Sequence, residues 1–183
     1  MEIIETTSAI GSLKDSFQEV EKKMGRVPNM FKIMGNAPNV LNAYIKFSGA
    51  LNNPSIGQKF AEQIALATAE FNSCTYCLSA HTSFAYNAGL SKQEIMEARR
   101  LDSPDPKIDK GLKFVEKLLR SHHALSPDDA EQLKQSGYTD GEILEIIAFV
   151  VRNIFTNYVN IISQTAIDWN EIIEPSNSNA NGH

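Results

Sequence analysis

An all-α fold is predicted, on three observations. No stretch sustains the apolar–polar alternation of a half-buried strand. Apolar residues recur instead at spacings of three and four, as at Leu13, Phe17, Val20 and Met24. Helix stops and starts also punctuate the chain at short intervals, which implies roughly eight or nine helices with short connections. A chain of 183 residues fits one domain, taken as 1–173. The remainder, 174–183, is Pro, Ser, Asn, Ala and Gly with a terminal His183, the composition of a disordered tail.

The elements follow in order. Ser12 is expected to cap a first helix running to about Met24, with Gly25 as its stop. Pro28 and Pro38 each stand at the start of a further apolar helical stretch. Ser55 and Gln58 have the spacing of a capping box for a helix from Ile56 to Phe71. Asn72 and Ser73 break that pattern and can cap a new helix from Cys74 to Ala88. Asp105-Pro106 opens another helix, and Ser126-Pro127-Asp128-Asp129 the next, where cap, N1 proline and first-turn acids agree. Two corners share one design: Gly89-Leu90-Ser91 with Glu94, and Gly137-Tyr138-Thr139 with Glu142. Each reads as Gly at C′, an apolar C″, an N-cap hydroxyl and Glu at N3, which is convergent corner chemistry or an internal duplication. The most apolar stretch, Ile143 to Ile167, carries Glu145, Arg152, Asn153, Asn157 and Asn160, and reads as a long core helix rather than a membrane span.

Composition narrows the function. Lys+Arg is 17 against 22 Asp+Glu, a net charge of −5, which argues against nucleic acid as the main partner. The N-terminus is acidic and has no apolar leader-like segment, so a cytoplasmic protein with no membrane partner is expected.

The two cysteines, Cys74 and Cys77, form one C-x-x-C, and His81 follows four residues later. Positions i, i+3 and i+7 share a helix face, so both sulfurs and an imidazole line one stripe, continued by Phe84 and Ala88. A helix start lowers a thiol pKa from ~8.5, as does a neighbouring imidazolium. On the preceding helix, Glu62 shares a row with Ala65, Leu66 and Ala69, an apolar setting for a carboxylate. If the two helices fold back on each other at Asn72-Ser73, Glu62 lies ~15 Å behind the corner and His81 ~12 Å ahead, at 1.5 Å per residue. The carboxylate would then meet the imidazole and set its tautomer. The same four side chains have the types of a zinc site, although zinc ligands are usually presented by turns and a domain of this size does not depend on one. Two buried structural cysteines are the plainer alternative. The thioredoxin reading of C-x-x-C asks for a βαβ unit, which this pattern does not offer. His122 and His123 fall at a helix end and are read as structural.

Glu62, eleven residues, Cys74-Thr75-Tyr76-Cys77, three residues and His81 resemble the signature of the AhpD-like alkylhydroperoxidase branch of the carboxymuconolactone decarboxylase (CMD) family. Val27-Pro28-Asn29-Met30-Phe31, Phe155 to Asn160, and Ile167-Asp168 extend the likeness over roughly residues 10 to 170. The resemblance implies an AhpD-like helical fold, a homo-oligomer assembled through helices, and thiol-dependent reduction of a hydroperoxide, with no cofactor or metal. It implies Cys77 as the attacking thiolate and Cys74 as the resolving thiol, closing a Cys74–Cys77 disulfide that an external dithiol or thiol-redox protein reopens. Glu62 and His81 would be the proton relay. Tyr76 stands where the best-known members carry a histidine, and a phenol of pKa ~10 is a poor base near pH 7. The lactone-decarboxylating members lack the cysteine pair, so that activity is not expected. A disulfide oxidoreductase, or a redox-sensing or metal-binding helical module, remains the alternative.

Overall fold

The computed structural model describes residues 1–169, so the tail expected over 174–183 lies outside the described residues. Nine α-helices form among the described residues, with no strand, as the apolar spacing predicts. They are α1 (Gly11–Met24), α2 (Asn29–Met34), α3 (Pro38–Ala50), α4 (Gln58–Phe71), α5 (Thr75–Asn87), α6 (Lys92–Arg99), α7 (Pro106–Arg120), α8 (Pro127–Gln135) and α9 (Asp140–Ser163).

Helix α4 is the axis of the molecule. Ten of its residues, Phe60 through Ala69, are buried, and a helix buried all round belongs at the centre of a bundle. Helices α5, α6, α7 and α9 pack around it. One cluster joins α4 to α7, α8 and α9 through Phe60, Ile64, Leu112, Val115, Ile146 and Phe149. A second joins α4 to α5 and α6 around both cysteines, Leu66, Leu90 and Ile95. A third holds α1, α2 and α3 together through Phe17, Val20, Phe31, Leu41 and Ile45, with Phe155 and Val159 of α9 packed against it.

Caps decide where several helices begin. Both repeated corners fold as their residues predict: Gly89 and Gly137 take φ of 85° and 89°, and Ser91 and Thr139 close capping boxes with Glu94 and Glu142. The C″ amides of Leu90 and Tyr138 reach back to the carbonyls of Ala85 and Leu133, which completes a Schellman stop in each. Ser126 closes a third box with Asp129, and Asp105 caps α7.

Three expected caps are corrected. Ser12 lies inside α1, whose N-cap is Ile10, because the extended chain at Ile10 lets the helix start at Gly11, two residues earlier than a Ser12 cap would. Ser55 and Gln58 form no box. Gly57, at φ 83°, is the N-cap of α4, and the Ser55 and Ile56 amides bind the Glu145 carboxylate of α9 at 3.1 and 3.0 Å instead. Asn72 and Ser73 do not cap α5. Ser73 turns the corner at φ 56°, Asn72 donates to Asn157 of α9 at 2.9 Å, and Cys74 is itself the N-cap.

Helix α9 is not a simple core helix. It is long and apolar enough to cross a membrane by length and composition alone, and only part of it is buried. One face buries Ile146, Phe149, Val150, Asn153, Thr156, Asn157 and Asn160, while the other leaves Leu144, Val151, Tyr158 and Ile162 exposed.

Candidate active site

The chemistry-bearing residues meet on the face of α5 that looks towards α4 and α9. Cys74 and Cys77 are joined by a disulfide, their Cα atoms 5.3 Å apart. One helical turn, i to i+3, supplies that closeness without further help from the fold. The Cys74 sulfur also accepts the Cys77 backbone N–H at 3.3 Å, so the sulfur takes the place of a hydroxyl at the helix start. Both cysteines are buried, but they face different surroundings: Cys77 lines a cavity of about 460 Å³, and Cys74 lies behind it.

Glu62 and His81 meet as the corner arithmetic predicts. His81 Nδ1 lies 2.8 Å from Glu62 Oε2, and both side chains are largely shielded from solvent. An ionised carboxylate only accepts, so the hydrogen of this bond sits on Nδ1, leaving Nε2 as the ring nitrogen available for further chemistry. Gln58, one turn earlier on α4, donates to Glu62 Oε1 at 3.1 Å. The two carboxylate oxygens are thus engaged by different partners, which holds the group in one rotamer. Phe84 meets the His81 ring edge-on, with centroids 5.6 Å apart.

Tyr76 lines the same cavity and is buried. Burial pushes its phenol well above the ordinary value; the nearby Trp169 indole and the Met30 N–H, which donates to the hydroxyl at 3.4 Å, only partly oppose this. It therefore stays protonated at neutral pH, a hydrogen-bond donor and not a base.

Three contributors escape the sequence reading. Asn160 of α9 donates from Nδ2 to the Cys77 sulfur at 3.3 Å, across 83 residues of chain. Its signal was available: Asn153, Asn157 and Asn160 recur at helical spacing in an otherwise apolar helix, which marks a polar internal face. Gln58, expected in a cap, instead braces Glu62. The segment after α9 forms a strap with no periodic signature. Asp168 accepts the Arg26 guanidinium at 2.7 Å and the Asn29 amide at 2.9 Å, thereby capping α2 from the far end of the chain. Beyond it, Trp169 packs edge-on against Phe84 at 4.9 Å, lies under Arg26, and walls the cavity. Among the described residues, no three His, Cys, Asp or Glu side chains converge as a metal-holding group.

A buried sulfur pair, one member facing a cavity beside a carboxylate-held imidazole, can run thiol redox chemistry. The CMD family model (carboxymuconolactone decarboxylase family) matches residues 38–116, a span that includes Glu62, both cysteines and His81. No curated protein sequence matches the chain. Among solved structures, an AhpD-core, peroxidase-related protein of Ralstonia eutropha JMP134 superposes with a TM-score of 0.79 at 22% identity, covering 92% of this chain and 91% of that one. A peroxidase-related protein of Silicibacter sp. TM1040 gives 0.71 at 24%, covering 84% and 82%. The debrominase Bmp8, in complex with 2,3,4-tribromopyrrole, gives 0.75 at 20%, covering 91% and 90%. The fold is thus that of AhpD-like proteins, and residues 38–116 match the model of the carboxymuconolactone decarboxylase family.

Proposed function

We propose that the chain is a thiol-dependent peroxidase that reduces an organic or inorganic hydroperoxide. The observation that carries this reading is the disulfide-bonded pair with only Cys77 facing the cavity, in which His81, held by Glu62, also stands. In the reduced protein the Cys77 thiolate attacks the terminal peroxide oxygen. The O–O bond breaks, sulfur is oxidised to sulfenic acid, and the departing alkoxide takes a proton from the relay. Cys74 then displaces hydroxide from the sulfenic sulfur, giving the Cys74–Cys77 disulfide and water. An external dithiol, as a cytoplasmic setting would supply, returns two electrons by exchange. Family and fold support this chemistry; the exposed apolar face of α9 supports the expected homo-oligomer.

Proton delivery has to be the larger catalytic effect. A fall of ~2 units in the Cys77 pKa would raise thiolate at pH 7 from ~3% to ~75%, about 25-fold. With a Brønsted slope of ~0.4–0.5, nucleophilicity falls ~6- to 10-fold over the same change, leaving a few-fold gain. A placed acid contributes ~10²–10⁴-fold. Glu62 and His81 are therefore assigned the relay, Asn160 the stabilisation of the Cys77 sulfur, and Tyr76 a hydrogen bond donated within the cavity.

A halogenated aromatic is the second reading, favoured by the debrominase among the structural neighbours. The same thiolate would take bromine from carbon, the carbon would gain a proton, and Cys74 would release bromide as the disulfide closes. Intact mass separates the two. Reduced protein given one equivalent of hydroperoxide should lose two hydrogens far faster than a simple dithiol, with the loss mapped to Cys74–Cys77, and Cys74→Ser should stop at a sulfenic acid on Cys77. Oxidation no faster than the dithiol would refute the peroxidase, and bromide release from a bromopyrrole would then establish the second reading.

A further inference from the structure

The cavity has a cation that the proposed redox cycle leaves idle. Arg152 of α9 lines the cavity together with Gln58, Tyr44, Ser48 and Asn52. Its guanidinium lies over the Phe149 ring, 4.5 Å from the centroid, so one face is covered and the side chain is held in place. Among the described residues it has no carboxylate partner, whereas the one carboxylate lining the cavity, Glu62, already binds His81 and Gln58. The guanidinium is also near the Tyr44 hydroxyl, whose upward shift through burial it opposes. An unpaired, preorganised guanidinium in a largely apolar cavity of a protein with net charge −5 is the fork that recognises a planar anion.

Position along α9 sets the length of what would bind. Arg152, Thr156 and Asn160 follow at i, i+4 and i+8 on one side of the helix and all line the cavity. Asn160 touches the Cys77 sulfur, and the backbone of Arg152 stands ~12 Å along the axis from that of Asn160, at 1.5 Å per residue, so the guanidinium is set well apart from the reacting end. Met24, Met30, Phe31 and Phe84 line the cavity with apolar surface. We infer that the substrate is a carboxylate-bearing hydroperoxide with an apolar body, its carboxylate bound by Arg152 and its peroxide delivered to Cys77. This deepens, and rests on, the peroxidase reading, and makes Arg152 a specificity-determining residue.

The test uses binding, with no turnover, so that it can fail independently of the redox chemistry. Calorimetric titration of the oxidised full-length protein compares 4-phenylbutanoate with its neutral isostere 4-phenylbutanamide. A charge-assisted bond to a half-exposed guanidinium should favour the carboxylate by ~10-fold, and added NaCl should shrink that preference. Arg152→Gln should bring the two ligands to equal affinity, and Arg152→Lys should restore part of the difference. Equal affinities in the wild type, no binding of either probe, or a preference that survives Arg152→Gln would each overturn the inference. The salt dependence in the wild type decides the matter even if a variant fails to fold. Oxidation of the reduced wild type by hydrogen peroxide, followed separately, bears on the peroxidase reading alone.

Discussion

Replacing Glu62 by Gln isolates the role of the carboxylate from its bulk. The residue is 5% exposed and its Oε2 lies 2.8 Å from His81 Nδ1, so an amide of equal size fits and the packing of α4 on α5 is kept. What is lost is charge. A hydrogen bond to an ionised group contributes ~1.5–3 kcal/mol and a neutral one ~0.5–1.5 kcal/mol, a difference of ~1–1.5 kcal/mol. If that difference is felt while His81 carries the proton to the leaving oxygen, the oxidation rate falls about 5- to 13-fold. Removing the imidazole itself with His81→Ala should cost ~10²–10⁴-fold. Stopped-flow measurement of disulfide formation in reduced protein reads both rates, and thiolate ultraviolet absorbance follows the thiol titration separately. His81→Ala should slow oxidation far more than it displaces that titration. A large displacement with turnover intact would refute the relay. So would Glu62→Gln at the wild-type rate beside a crippled His81→Ala, since the imidazole would then act without the carboxylate.

Three further predictions concern the frame around the site. Asp168→Asn removes the charge from a part-exposed pair with Arg26 at 2.7 Å and weakens the cap on α2, so a loss of ~0.5–1 kcal/mol and ~1–4 °C in Tm is expected. The loosened strap should also speed reaction of reduced Cys77 with a bulky aromatic disulfide; an unchanged rate would show that Trp169 does not guard the cavity. Gly111→Ala places a methyl group onto the Phe60 ring and the Tyr138 hydroxyl, where α7 meets α4. Overpacking should outweigh the gain in helix propensity, leaving a net loss of ~1–2 kcal/mol and ~2–8 °C, and a raised Tm would contradict it. Glu142 is held below the usual carboxylate range, chiefly by the Thr139 backbone N–H, with the Thr139 hydroxyl and Lys107 adding to it against the cost of burial. Its folded pKa lies below the unfolded value of ~4.3, so its stabilisation is complete above that value and disappears as pH falls through the folded pKa. Glu142→Gln should therefore lower Tm at pH 7, and that loss should shrink as pH falls below the unfolded value; a loss that stays constant with pH would refute an electrostatic cap.

Much of this molecule is local, and local features are legible in a sequence. The Ser91, Ser126 and Thr139 boxes each close over three residues, with glycines at the two repeated corners in the left-handed region that an L side chain resists. The Cys74, Cys77 and His81 stripe follows from the helical repeat alone. The meeting of Glu62 with His81 needs only two helices, one corner and a fixed rise per residue, so it too could be placed before any fold was known. Where several residues compete for one cap, the local signal is not enough. Ser12 and Ser55 have the right chemistry, but dihedrals at Ile10 and Gly57, and a carboxylate from α9, decide where those helices start.

The helical class, the closeness of Cys74 to Cys77 and the contact of Glu62 with His81 were all readable from local spacing. It took the packing of distant helices to settle which sulfur faces the cavity, to bring Asn160 to Cys77 across 83 residues and Asp168 to Arg26 across 142, and to leave Arg152 on the cavity wall with no carboxylate partner among the described residues. The reason is physical. Helical spacing repeats every 3.6 residues and is written in neighbouring positions, whereas a contact between distant segments depends on how whole helices pack, which is set by the summed burial of many side chains and by no single motif.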